Sequence, residues 1–336
     1  MEELIKSLEK EWPKGENWAV TVLEGPDAGK KLLSGCYRES LGGYDVFCER
    51  LCQEPRLIVC GAGHVALAVI RMGKMLGFRV TVLEDREVFA RAATEAGADQ
   101  VLLGPFREGI EKAAPDADSY VVTVTRGHQY DRECLEEVLK YPFAYAGMMG
   151  SRGRAALVKE QLEEKGFFPG QTAQIHAPIG LAIGAETPEE IAVSILAEII
   201  EVKNRSGKGE GFFRSLAEQL NDLLQRGMDG VLATIISRSG SAPRRVGTKM
   251  LVRQDGSACG TVGGGLAEYK ITEKAMNMIK KKDKSFQTYD IELSGKTAAE
   301  EGMVCGGRLT VMLEYVSGRN GTEETDPISR TKEAGL

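Results

Sequence analysis

The sequence predicts an α/β chain in two main parts: a parallel-sheet domain over residues 56–205, then a smaller α+β domain over 206–317. Three observations predict it. Between 56 and 205, apolar runs of strand length alternate with helical patterns, the signature of crossover units in a sheet covered on both faces. A polar, Gly-rich stretch, NRSGKGEG (204–211), then interrupts the pattern as a linker would. Beyond it, strands joined by Gly turns surround a single long helix. A length of 336 residues suits two domains, each long enough to bury a core.

The elements follow in order. MEELIKSLEKEW reads as a charged amphipathic helix and lacks the apolar stretch of a signal peptide. WAVTVLEGPDAGKKLLSG (18–35) resembles VLATIISRSGSAPRRVGTKMLVR (231–253): strand, Gly-containing loop, then a Gly-x-Lys-x-Leu strand. Gly29 matches Gly247, and Lys31 matches Lys249. Residues 1–55 are therefore read as a degenerate half-repeat of the second domain, against the alternative of two similar turns met by chance. RLIVCG, FRVTVLED, DQVLLG, SYVVTVTRG and FAYAGMMG are the buried strands of the first domain. HVALAVIRMGKMLG, REVFARAATEAG, DRECLEEVLK and RGRAALVKEQLEEKG are helices among and after them. TPEEIAVSILAEIIEVKN is a helix with Thr187 as cap, Pro188 in the first turn and Glu190 completing a capping box. In the second domain, FFRSLAEQLNDLLQRG and LAEYKITEKAMNMIKKK are helices; VLATIISRSG, TKMLVRQDG, SACGTVGGG and RLTVMLEYV are strands. The tail, 318–336, is too poor in apolar residues to pack and is expected to be disordered.

Composition excludes several function classes. A net charge of −6 argues against nucleic acid or an anionic membrane as partner, since both need a basic face. No apolar run approaches the roughly 18–20 residues of a membrane span, so a cytoplasmic protein is expected. Seven cysteines, at 36, 48, 52, 60, 134, 259 and 305, form an odd, scattered set without a CxxC pair, which suits free thiols. Cys48 and Cys52 are spaced to share a helix face.

The chemistry-bearing motifs cluster at strand ends. Gly61-Ala62-Gly63-His64-Val65-Ala66 is G-x-G-x-x-A between a strand and a helix, which makes the first domain Rossmann-like. Its glycines let the backbone turn and approach a phosphate that the helix N-terminus stabilises. Glu84 and Asp85 end the next strand, where a carboxylate would bond a ribose diol. His64 either faces the ligand or caps the helix. Thr125-Arg126-Gly127-His128 ends a further strand, with Asp131 placed to cap the following helix. Ser151 and Arg152 begin a helix after the last strand and suit an anion. The third histidine, His176, also lies near a strand end, so the three histidines converge on one domain; a metal triad is the minor reading. In the second domain, Arg244 and Arg245 stand in a turn-rich loop. Gly263, Gly264 and Gly265 form either an anion nest or a plain turn, and Cys305 is either a packed thiol or one that binds metal or carries sulfur.

GSAPRRVGTKMLV, GTVGGGLAE and CGG resemble blocks of the xanthine dehydrogenase accessory protein family, of the XdhC/CoxI type. GAGHVA, TRGH, GMMGSR and HAPIGLAIGAETPEEIAVSILAE resemble the Rossmann domain that this family carries. The family usually places the CoxI-like domain first; here the order is reversed. The resemblance implies an accessory protein rather than a catalyst: a chaperone that binds the molybdenum cofactor, molybdopterin, while a terminal oxo ligand is exchanged for sulfur, then delivers it to the apo-enzyme. It also implies a xanthine dehydrogenase-like molybdenum hydroxylase and a cysteine desulfurase as partners, and a homodimer. By the same resemblance Cys305 is the thiol nearest molybdenum or its sulfur, with Gly263, Gly264, Gly265, Arg244 and Arg245 nearby. The Rossmann cradle would take the pterin phosphate, a nucleotide form of the cofactor, or NAD. The competing reading is an NAD-dependent oxidoreductase using Gly61, Gly63 and Glu84, although no convincing catalytic Tyr-x-x-x-Lys stands in the second domain. A non-catalytic nucleotide sensor is a further alternative. The chain is too short, and lacks the cysteine runs for iron–sulfur clusters, to be the hydroxylase itself.

Overall fold

The computed structural model describes residues 1–13, 16–52, 54–205, 211–241, 244–292 and 307–318. The chain forms two compact units, Met1–Cys52 with Gly209–Leu336, and Gln53–Lys208. The first unit opens with α1 (Glu2–Lys10), β1 (Trp18–Val22), β2 (Lys31–Ser34), β3 (Ser40–Leu41) and β4 (Tyr44–Cys52). Cys48 and Cys52, spaced for a helix face, lie instead on strand β4, which pairs antiparallel with β1 from Val46 to Arg50.

The second unit runs β5 (Arg56–Cys60), α2 (His64–Met75), β6 (Arg79–Glu84), α3 (Glu87–Glu95), β7 (Gln100–Leu103), α4 (Phe106–Ala113), β8 (Ser119–Thr123) and α5 (His128–Val138). It continues with β9 (Tyr145–Met148), α6 (Arg152–Glu164), α7 (Pro169–Thr172), β10 (Ile175–His176) and α8 (Pro188–Arg205). Its six strands are all parallel, in the order β10-β9-β8-β5-β6-β7. Alternation along β5 shows why the strand is apolar throughout: Leu57 and Val59 enter one core with α2 and α8, while Ile58 and Cys60 enter another with α4 and α5. Each such side chain contributes about 1.5–3 kcal/mol on burial, so Ile58→Ala is expected to cost about 2–5 kcal/mol by urea denaturation. The capping box is present at α8, where Glu190 N donates to Thr187 Oγ1 (3.3 Å) and Thr187 N to Glu190 Oε2 (3.1 Å).

Among the elements not evident in the sequence patterns, which include β4, α7 and β10, two show why. In α4, Phe106, Gly109, Ile110 and Ala113 carry the helical spacing, but Gly109 dilutes it. A Cβ there would lie 3.2 Å from Leu83 Cδ2, so the residue is small because the strand is close. The second is an edge strand with only one buried position, β15 (Gln287–Glu292).

The rest of the first unit comprises β11 (Phe212–Phe213), α9 (Arg214–Gln225), β12 (Gly230–Gly240), β13 (Lys249–Arg253), β14 (Ala258–Gly260), α10 (Gly265–Lys281), β15 and β16 (Gly307–Val316). One of its two five-stranded sheets has the order β14-β13-β12-β16-β15. Val231, Ala233 and Ile235 of β12 face α10, while Leu232 faces a core shared with α1, α9 and the N-terminal strands. The N-terminal segment, treated separately in the sequence, therefore folds into the same unit as residues 209 onward. The reason is the apolar face of Leu4, Ile5 and Leu8, which packs against Leu220, Leu223 and Leu224. Among the described residues, no helix is long and apolar enough to cross a membrane. The tail beyond 318 lies outside the described residues.

Candidate functional site

The parallel sheet reverses its strand order between β5 and β8, and a cavity of about 320 Å³ opens at the carboxyl ends of those strands. Ligands bind at such a switch point because two loops diverge there and leave a crevice. Gly61, Ala62, Gly63, His64, Glu84, Arg86, Phe106, Thr125 and Arg126 are among the residues that line it.

The two loop glycines have different reasons. Gly61 has φ +106°, and a Cβ on it would lie 2.7 Å from the Val124 carbonyl oxygen. It is there so that β5 can turn against β8. Gly63 caps α2 with extended backbone, and a Cβ on it would meet nothing within 4 Å. The space beside it is cavity, at the positive end of a twelve-residue helix, suited to a phosphate or carboxylate. His64 is exposed, opens α2 and lines the cavity.

Glu84 is fully buried, and both its oxygens are taken by the chain itself. Oε2 accepts from Ala62 N (2.9 Å); Oε1 accepts from Asp85 N and Arg86 N (both 3.2 Å) and from Arg86 Nε (2.9 Å). Asp85 forms a two-pronged pair with Arg126, one arm of which measures 2.7 Å. Arg126 also donates to Tyr130 Oη (2.8 Å), its guanidinium lying 4.2 Å from the centre of that ring. Arg86 stacks on Phe89 at 3.7 Å. A ribose diol would have to displace these donors from Glu84 or break the Asp85 pair. The rim thus carries two carboxylates already matched by two guanidinium groups.

Hydrogen bonds from Arg126 hold the Asp85 carboxyl at about 2, below its ordinary 3.8. A carboxyl depressed in the folded state contributes stability that is present above pH 3.8 and lost as pH falls through about 2. Arg126→Met is expected to remove that contribution and move acid unfolding to higher pH. Circular dichroism between pH 2 and pH 5 would check it, and unchanged acid midpoints would count against the pair.

Other expected site residues stand at the starts of helices. Ser151 caps α6, its Oγ accepting from Arg154 N (3.3 Å), and Arg152 is exposed at the start of that helix. His128 opens α5. Asp131 does not cap a helix, a place that Gly127 holds; it is buried, accepting from Thr125 Oγ1 and pairing with Arg154. Burial pushes its carboxyl up, against the pull of Thr125 and Arg154. Arg86 and Arg154, which motif spacing did not single out, are the cations that organise this end of the sheet.

His176 sits on the edge strand, away from the cavity lining. Its Nδ1 lies 2.9 Å from Glu198 Oε1, while Tyr145 Oη (2.5 Å) and Gly180 N (2.8 Å) donate to Glu198 Oε2. Burial works to raise the Glu198 carboxyl, but these donors outweigh it and hold it below its ordinary range. Among the described residues, no group of three or more His, Cys, Asp or Glu is placed to hold a metal ion.

In the other unit, Gly263, Gly264 and Gly265 all take positive φ, at +131°, +75° and +55°. The loop's donors face inward: Gly263 N donates to Thr261 Oγ1 (3.1 Å) and Gly264 N to Glu268 Oε2 (3.1 Å). The Glu268 carboxylate thus takes one of the N–H groups that an anion nest would offer. Arg244 and Arg245 are exposed, their backbone carbonyls accepting from Arg238 and Thr248. Cys305 lies outside the described residues.

These features define a class: a two-module protein joining a dinucleotide-type parallel sheet to a glycine-motif α+β module. Family models match in that order, the XdhC Rossmann domain over residues 57–199 and the XdhC and CoxI family over residues 223–290. The chain belongs to the XdhC and CoxI family. It is 36% identical over 174 residues to the uncharacterized protein YqeB of Escherichia coli, covering 50% of this chain and 31% of that one. It is 30% identical over 161 residues to a probable xanthine dehydrogenase subunit of Bacillus subtilis, covering 48% and 47%. Over 93 residues it is 31% identical to the molybdenum cofactor insertion chaperone PaoD of Escherichia coli, covering 27% and 28%. The chain thus spans less than half the length of these curated relatives. The crystal structure of a xanthine dehydrogenase from Bacillus halodurans is similar, at 22% identity and TM-score 0.49, covering 62% of this chain and 65% of that one.

Proposed function

We propose that this chain is a maturation factor that holds the molybdenum cofactor for a xanthine dehydrogenase-type molybdenum hydroxylase and hands it over. The observation that carries the reading is the cradle: a glycine turn with open space at Gly63, the helix end beside it, and a rim whose ribose-binding carboxylate is already spent on Ala62. A phosphate-bearing pterin fits such a site better than an unmodified dinucleotide, because it needs anion donors and no free diol acceptor. The group would be held by the turn from Gly61 to Val65, with Arg126 and Arg86 at the rim. When bound, the cofactor supplies the molybdenum and sulfur chemistry that the client enzyme uses; the chain's residues bind the phosphate and shield the ring. The relative PaoD, a molybdenum cofactor insertion chaperone, supports the same reading. Sulfur delivery by a cysteine desulfurase, a Cys305 contact to molybdenum or its sulfur, and a homodimer belong to the proposal.

The test is anaerobic purification with metal analysis and pterin fluorescence, NAD being titrated in parallel. Stoichiometric molybdenum and pterin are expected, with retention weakened in Cys305→Ala while its fold is intact. Tight NAD binding with no pterin, even after incubation with free cofactor, would replace this reading by the oxidoreductase one, which the parallel-sheet cradle also favours.

A further inference from the structure

The N-terminal strands and the C-terminal sheet share strand register and hairpin closure. In the N-terminal sheet, Ala19 is paired with both Leu33 and Glu49. In the C-terminal sheet, Leu232 is paired with both Leu251 and Glu314. Two residues on, Thr21 pairs with Lys31 and Thr234 with Lys249. Each hairpin then closes alike: Gly29 N donates to Val22 O and Gly247 N to Ile235 O, both at 2.8 Å. Val22 N in turn donates to Lys30 O (3.0 Å), and Ile235 N to Thr248 O (2.9 Å). Both glycines have positive φ, +86° and +93°. The strand orders coincide as well, β2-β1-β4 with β3 on β4, against β13-β12-β16-β15. A helix precedes each set, and the two helices pack together, Asn221 of α9 donating to Glu9 of α1 (3.0 Å). Two strands meeting a similar turn by chance explains one match, not register, closure, strand order and the leading helix together.

The copies differ most in one segment, besides a longer hairpin loop before Gly247 than before Gly29 and a longer connection before β16 than before β4. In the C-terminal copy, residues 254–286 join β13 to β15 and carry β14, Gly263–Gly265 and α10. In the N-terminal copy, residues 35–39 make the same connection. The two sheets meet through equivalent residues. Ala19, Leu33 and Leu51 face the shared core from one side, and Leu232, Leu251 and Val316 from the other. Among them lie four buried charges: Lys31 is 3.2 Å from Glu314, and Lys249 pairs with Glu49. These cross-sheet pairs exchange under the same correspondence, Lys31 for Lys249 and Glu49 for Glu314.

We propose that residues 1–52 are a second copy of the C-terminal module, stripped of its glycine motif, and docked as a built-in partner on the face where such a module would pair with a second copy. That face is then closed to another chain, and each chain carries one glycine-motif site. Glu49 is a positioning residue in this arrangement: it holds Lys249, whose Nζ also donates to Gly247 O (2.9 Å) at the base of the Arg244–Arg245 loop.

The correspondence makes the two charge pairs equivalent, so two double-mutant cycles in the full chain test it. The variants are Lys31→Met with Glu314→Gln, and Lys249→Met with Glu49→Gln, read by thermal unfolding. Each single variant removes one side of a buried pair, although Lys31 also lies 3.7 Å from Glu49, and is expected to lower Tm by about 10 °C. In both cycles the double variant is expected to recover at least half of the worse single's loss. Where a single variant does not accumulate as folded protein, recovery of folded double variant is the same result. Recovery in only one cycle, or in neither, would overturn the proposal, since the sheets would then not meet as equivalents.

Discussion

Replacing Glu84 by alanine is expected to destabilise the parallel-sheet unit by about 3–5 kcal/mol, the range for removing one partner from a buried ionic group. The size follows from what the carboxylate holds. Three backbone N–H groups, of Ala62, Asp85 and Arg86, donate to it in a fully buried position. Unsatisfied buried donors cost about 1–3 kcal/mol each, and relaxation of the loop recovers part of that sum. Glu84→Gln keeps the shape and one acceptor oxygen, and so should lose less. Urea unfolding checks both. A loss below about 1 kcal/mol for the alanine variant would mean that the glycine loop does not depend on this carboxylate. Under the proposed function, ligand retention should fall with stability, because Ala62 sits inside the glycine turn proposed to hold the phosphate.

The second large effect separates the two glycines. Gly61→Ala forces a side chain onto φ +106° with its Cβ 2.7 Å from the Val124 carbonyl oxygen. Strain and overlap together should cost about 2–4 kcal/mol. Gly63→Ala has ordinary φ and open space around its Cβ, so stability should change by no more than about 0.5 kcal/mol. The added methyl would, however, occupy the space that a phosphate needs, and retention of a bound anionic cofactor should drop by about tenfold or more, the worth of about 1.4 kcal/mol. Equal stability losses in the two variants would contradict the different jobs assigned to them. A Gly63→Ala chain that holds its ligand normally would move the anion away from this turn.

Local rules made much of this molecule readable. The helix cap at Thr187 depends only on residues within one turn. The glycine turn after β5 was readable because strand, turn and helix are consecutive in the chain. The proposed half-repeat was faintly visible because Gly29 and Lys31 keep the spacing of Gly247 and Lys249. The state of the carboxylates was not visible. Glu84 and Asp85 look like ribose ligands from their place at a strand end, yet Arg126, 41 positions from Asp85, is the group that occupies Asp85. Arg154 reaches Asp131 across 23 positions and takes it out of a capping role. The strand identity of Cys48 and Cys52 came from pairing with β1 and β11 respectively, not from their spacing.

The sequence by itself determined the α/β class, the order of the two family domains and the glycine turn after β5, because each rests on hydrophobic period or backbone freedom within a short stretch. Tertiary structure alone decided that residues 1–52 join the C-terminal unit, which acids are free, and which glycine faces open space. Those outcomes depend on burial and on charges brought together from distant parts of the chain. Such long-range neighbours, rather than the residue types themselves, set whether a carboxylate binds a ligand or braces a loop.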